Sequence, residues 1–132
     1  MDTKGGLKKI LLVDDNDIHL LIASNILKDK YETVTAKSGK DALGLLTKGL
    51  VPCLILLDVL MPEMDGWETY NKIKGIGLLR NVPVAFVTSL DGVREKLYAS
   101  SIGASDFITK PYDRDQLLKK VEEMLERKPE LN

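Results

Sequence analysis

The run Leu54-Ile55-Leu56-Leu57 is apolar at every position and stops at an acid, Asp58. Strict apolar–polar alternation marks a strand wetted on one face. An unbroken run fits a strand buried on both faces, the condition of a parallel sheet covered by helices on each side. Such a strand delivers its next residue to the carboxyl edge of the sheet, where open α/β sheets keep their ligand crevice. Asp58 is therefore a candidate site residue, although taken alone it reads equally well as a turn or helix-capping aspartate.

The same arrangement recurs along the chain. Ile10-Leu11-Leu12-Val13 ends in Asp14-Asp15, Val84-Ala85-Phe86-Val87 in Thr88-Ser89, and Phe107-Ile108-Thr109 in Lys110-Pro111. Acids, hydroxyls and an amine at successive strand ends form a constellation, which removes the ambiguity at Asp58. Between the strands, Ile18, Leu21, Ile22 and Ile26 recur at three- and four-residue steps, as do Leu117, Val121, Met124 and Leu125, predicting helix faces packed on the sheet.

The reading is five βα units, with strands near 9–14, 31–36, 53–58, 83–88 and 105–109 and helices near 16–29, 38–48, 65–75, 91–102 and 113–127. Thr33 and Thr35 alternate with Val34 and Ala36, as befits an edge strand. Ser38 with Asp41, and Asp113 with Gln116, have the spacing of capping boxes, and Gly103 stands where a helix needs a left-handed terminus.

A chain of 132 residues can bury a core without disulfides and fits one domain. A net charge of −1 with interspersed signs offers no basic face, so nucleic-acid binding is not expected. The single Cys53, beside a buried strand, fits a packing role in a reducing cytosol. No signal peptide or membrane-spanning run is visible, so a soluble, cytoplasmic protein without membrane contact is expected. Residues 1–7 and 128–132 read as short tails around a domain at 8–127, and no linker leads to a second domain.

Four motifs, Val13-Asp14-Asp15-Asn16, Asp58 with Met61-Pro62-Glu63-Met64-Asp65-Gly66, Thr88-Ser89 and Thr109-Lys110-Pro111-Tyr112, are each weak alone and specific in this order and spacing. Together they resemble the receiver domain of two-component response regulators over nearly the whole chain. The resemblance implies a flavodoxin-like α/β fold with a doubly wound parallel sheet in strand order 2-1-3-4-5. It implies Asp58 as phosphoacceptor, Thr88 and Lys110 contacting the phosphoryl group, and a divalent metal held at Asp14, Asp15, Asp58 and the Leu60 carbonyl, with Asp14 acting largely through water. It also implies a cis Lys110–Pro111 peptide and an aromatic switch at Phe107, whose plainer alternative is an ordinary core aromatic.

With that order, Asp58 faces Asp14 and Asp15 on one side and Thr88 on the other. Three carboxylates that close repel one another unless a cation intervenes. Mg²⁺ suits an oxygen-only site that keeps several waters. Lys110 starts about 10 Å from Asp58, two strand spacings away, a gap its long stem can span. A solvated surface lysine is the usual fate of that residue. Gly66 supplies an unrestricted backbone where the acceptor loop turns, or is a plain turn glycine. Leu60 and Leu90 are apolar where receivers often carry polar residues, so both should flank the route of the hydrolysing water. His19 reads as a solvated or packing side chain, and Trp67 as half-buried packing.

These features favour a phosphoacceptor signalling domain. Its partner is a histidine kinase or histidine phosphotransfer protein, and its output protein or domain responds to the face of the fourth helix, fifth strand and fifth helix. A phosphorylation-dependent dimer is left open. A turnover phosphatase needs an acid two residues after the nucleophile, where Leu60 stands, so enzymatic turnover is not expected. The remaining alternative is a phosphorylation-independent interaction module.

Overall fold

The computed structural model describes residues 7–127, so the expected tails at 1–7 and 128–132 lie, apart from Leu7, outside the described residues. The elements are β1 (Lys9–Val13), α1 (Asp17–Leu27), β2 (Glu32–Ala36), α2 (Gly39–Thr47), β3 (Leu54–Leu57), α3 (Gly66–Lys74), β4 (Val84–Thr88), α4 (Val93–Ser101), β5 (Asp106–Thr109) and α5 (Arg114–Glu126). A short 3-10 helix, Gly77–Leu79, was not foreseen. The sheet is parallel and ordered β2-β1-β3-β4-β5, as expected.

The apolar runs are continuous because each strand feeds two cores. Leu11, Val13, Ile55, Leu57, Val84 and Phe86 face one cluster, shared with Ala42, Leu46, Tyr70, Ile73 and Ala99 from α2, α3 and α4. Ile10, Leu12, Leu54, Leu56, Ala85 and Val87 face the other, shared with α1 and α5 through Leu20, Ala23, Leu27, Leu117, Val121 and Met124. The two-residue period of a strand sends neighbours to opposite faces, so both parities must be apolar.

The expected face of α1 is corrected. Ile18, Leu21 and Ile22 are 63%, 59% and 46% exposed, and the helix packs through Leu20, Ala23 and Leu27. Apolar residues fill more than one stripe of this helix, so periodicity alone did not select the inward one. On α5 the expected face holds, with Leu117, Val121 and Met124 buried.

Helix ends follow local chemistry. Asp113 and Gln116 exchange both capping-box hydrogen bonds, whereas Ser38 caps one way, its hydroxyl accepting from the Asp41 amide at 3.0 Å. The backbone just past α4 turns left-handed at Gly103, φ 97°.

Candidate functional site

Strand pairing brings the site together from residues far apart in sequence. The Asp58 amide donates to the Val13 carbonyl at 2.9 Å, continuing the β1–β3 ladder one step beyond Leu57, so Asp58 and Asp14 stand side by side. Both are nearly buried, at 6% and 7% exposure, while Asp15 turns to solvent. Carboxylate oxygens of Asp14, Asp15 and Asp58 lie within 4.8 Å of one another. Asp14 Oδ1 accepts from the Asn16 amide at 2.9 Å, and Asp58 Oδ1 from the Leu60 amide at 3.3 Å.

Lys110 lies just past β5, its amide bonded to the Thr88 carbonyl at 2.8 Å and its peptide to Pro111 cis. Its side chain recrosses the sheet edge as the strand spacing requires. The ammonium donates to Asp14 Oδ2 at 2.6 Å and Asp58 Oδ2 at 3.1 Å, with the lysine side chain 11% exposed. The solvated reading of Lys110 is therefore excluded. The ammonium also supplies two of the three clustered carboxylates with a counter-charge from within the chain, and Asp15 is left to solvent.

Thr88 is fully buried at the end of β4, and its hydroxyl accepts from the Leu90 amide at 3.3 Å. The Leu60 side chain is 51% exposed, and Leu90 is half-buried against the α2–α4 cluster. Phe107 pairs with Phe86 across β4 and β5 and is half-buried against the same cluster. Trp67 is half-buried as expected, its ring 4.6 Å from Phe86 and 4.9 Å from Tyr98.

Gly66 has a more specific reason than free turning. A Cβ there would meet the Asp58 carbonyl oxygen at 2.2 Å and the Val59 Cα at 2.6 Å, so the start of α3 packs directly on the backbone of Asp58 and Val59.

Sequence reasoning missed His19. Its Nδ1 lies 2.9 Å from the Lys110 ammonium and 3.5 Å from Asp14 Oδ2, which replaces the expectation of a merely solvated or packing side chain. The available signal was its place in the first turn of a helix that starts two residues after Asp15, with Asn16 as N-cap. Tyr112, half-buried behind the site, has its phenol pushed above the ordinary value by burial and by the Asp14 carboxylate.

The donor set fits a hard divalent cation: three carboxylates converge at an edge open on the Asp15 side, with no sulfur or imidazole in the cluster. Among the described residues no helix is long and apolar enough to cross a membrane.

The sequence profile of the response regulator receiver domain matches residues 10–122. Response regulator PleD of Caulobacter vibrioides is 40% identical over 114 residues, covering 86% of this chain and 25% of PleD. Transcriptional regulatory protein PcoR of Escherichia coli is 32% identical over 122 residues, covering 92% of this chain and 53% of PcoR. The chain thus spans about a quarter and about half of these relatives. Among solved structures, chemotaxis protein CheY4 of Vibrio cholerae superposes with a TM-score of 0.84 at 28% identity, covering 89% of this chain and 98% of that one.

Proposed function

The chain belongs to the response regulator receiver domain family, and from that premise we propose that residues 8–127 form a cytoplasmic phosphoacceptor domain. Asp58 takes a phosphoryl group from a histidine kinase or phosphotransfer protein. The observation that carries this reading is the Lys110 ammonium shared between Asp14 and Asp58 beside a three-carboxylate cluster. A domain kept only for its fold has no need to hold a charged lysine inward against two nearly buried acids.

In the step itself, a carboxylate oxygen of Asp58 attacks phosphorus. The new P–O bond forms as the P–N bond of a phosphohistidine, or the P–O bond of acetyl phosphate, breaks and its electron pair leaves with imidazole or acetate. Phosphoryl transfer asks mainly for positioning and for neutral surroundings around the equatorial oxygens. Lys110 meets one such oxygen from the β5 side, and the Thr88 hydroxyl and the amides of Val59 or Ser89 meet others. Asp14, Asp15, Asp58 and the Leu60 carbonyl would hold Mg²⁺, and the ion would supply charge neutralisation at the transferring group. Phosphorylation then shifts a two-state equilibrium on the face of α4, β5 and α5, where Phe107 and Thr88 couple to the acceptor.

Incubation with acetyl phosphate and Mg²⁺ should add one phosphoryl group by intact mass, absent in Asp58→Ala. Equal labelling of that variant rejects Asp58 as the acceptor.

A further inference from the structure

The Lys110 ammonium has three N–H donors and meets three acceptors: Asp14 Oδ2 at 2.6 Å, His19 Nδ1 at 2.9 Å and Asp58 Oδ2 at 3.1 Å. An ammonium offers no acceptor, so the ring nitrogen facing it accepts and the imidazole keeps its proton on Nε2. We propose that His19 is a positioning residue for Lys110, holding the ammonium in place from behind while its remaining donor changes partner at Asp58. The inference rests on Asp58 being the phosphoacceptor.

When Asp58 becomes an acyl phosphate, its charge moves outward onto the phosphoryl oxygens, and the ammonium must exchange its contact with Oδ2 for one with the new group. Asp14 alone fixes one N–H bond, about which a four-carbon stem still swings. A second anchor on α1 fixes the direction of the third donor. A neutral acceptor suits that task, because a carboxylate at position 19 would add a third anion to the resting ion pair and hold the ammonium back. The contact is not a by-product of core packing: the His19 side chain is 43% exposed and has room to turn away. The backbone beneath it is fixed, since the His19 amide donates to the Asn16 side-chain oxygen at 3.0 Å in the capped first turn of α1.

The test compares His19→Ala and His19→Asn in the wild-type and Lys110→Ala backgrounds. Asparagine places a carbonyl oxygen at the branch point where Nδ1 stands, and so restores an acceptor. In metal-free protein, nitrogen-15 NMR of the lysine side chains should show the Lys110 ammonium protected from exchange in wild type and His19→Asn, and unprotected in His19→Ala. Labelling by acetyl phosphate at fixed Mg²⁺ should slow about fivefold in His19→Ala, the net effect of one typical hydrogen bond, and recover to within about twofold in His19→Asn. In the Lys110→Ala background, His19→Ala should slow labelling no further. Equal slowing in both backgrounds, or an unchanged Lys110 ammonium in His19→Ala, overturns the proposal. A wild type that takes no label on Asp58 overturns the phosphoacceptor reading itself, an outcome distinct from a labelled wild type whose His19 variants are all alike.

Discussion

Lys110 and Asp14, 96 positions apart in the chain, meet at 2.6 Å across the carboxyl edge of the sheet, with side chains only 11% and 10% exposed. Removing one member of such a pair leaves the other charge poorly solvated and partly uncompensated. Lys110→Ala should fold but lose roughly 2–4 kcal/mol in metal-free buffer. Because the acid cluster then lacks its internal counter-charge, added Mg²⁺ should raise the urea midpoint of the variant more than that of the wild type. Equal Mg²⁺ shifts in the two proteins would show that ammonium and metal do not share the cluster.

Gly66 and Gly44 make a matched pair of substitutions. Alanine at Gly66 drives a Cβ to 2.2 Å from the Asp58 carbonyl oxygen, which is backbone and cannot swing aside, whereas a Cβ at Gly44 in α2 meets nothing within 4 Å. Gly66→Ala should cost about 1–3 kcal/mol and slow phosphorylation, since relief requires the acceptor loop to move. Gly44→Ala should be neutral or stabilising by up to about 1 kcal/mol, because alanine loses less chain entropy in a helix. Thermal melts with acetyl phosphate labelling check both, and normal labelling of Gly66→Ala would reject the close-approach argument.

Much of this architecture was legible because its physics is local or periodic. Two buried sheet faces require apolar residues at both parities, so the runs at Ile10, Leu54 and Val84 announce parallel strands, and a strand end sets where Asp14, Asp58 and Lys110 emerge. What stayed hidden depends on tertiary choice. The face of α1 could not be selected while Ile18, Leu21 and Ile22 competed with Leu20, Ala23 and Leu27. His19 became a neighbour of Lys110 only once α1 and β5 were placed on a common edge. The steric demand at Gly66 likewise arises from an approach of two backbones that no spacing records.

Alkaline pH should weaken the fold. Burial raises the Tyr70 phenol above its ordinary 10.0 and the Cys53 thiol above 9.0. In both groups the folded state holds its proton longer than the unfolded state, so their contribution is intact below the ordinary values and is lost as pH rises through the folded ones. Lys74 acts oppositely: burial lowers its ammonium below 10.5, so the folded state binds fewer protons and gains stability as pH rises toward that value. The phenols and thiol outnumber it, since Tyr31 and Tyr112 are also raised. Tyr70→Phe removes a hydroxyl that donates to the Ile102 carbonyl at 3.0 Å, which should cost about 1 kcal/mol at pH 7 and flatten the decline above pH 10. Urea midpoints measured from pH 7 to 11 decide; an equally steep decline in the variant removes Tyr70 from the effect.

The lifetime of the aspartyl phosphate should be set in part by Leu60 and Leu90. Their amides donate to the Asp58 carboxylate and the neighbouring hydroxyl, Leu60 to Asp58 Oδ1 and Leu90 to Thr88 Oγ, each at 3.3 Å, so both side chains spring from the rim of the site. Hydrolysis needs a water about 3 Å from phosphorus, in line with the departing Asp58 oxygen, and an apolar side chain cannot hold it there. The half-buried Leu90 packs on the α2–α4 cluster, while Leu60 is 51% exposed, so they should act by different means, Leu90 by narrowing the approach and Leu60 by leaving what arrives unoriented. A Leu60→Asn, Leu90→Glu double variant should therefore dephosphorylate faster, with about 1 kcal/mol, a several-fold effect, from each change. The two need not add, since both would order the same water. Because Leu90→Glu also gives up packing, decay must be compared at a temperature where both proteins are fully folded. Loss of label is followed by intact mass after donor removal at fixed Mg²⁺, and an unchanged or slower decay in the double variant means that metal loss or backbone motion, not water access, limits the rate.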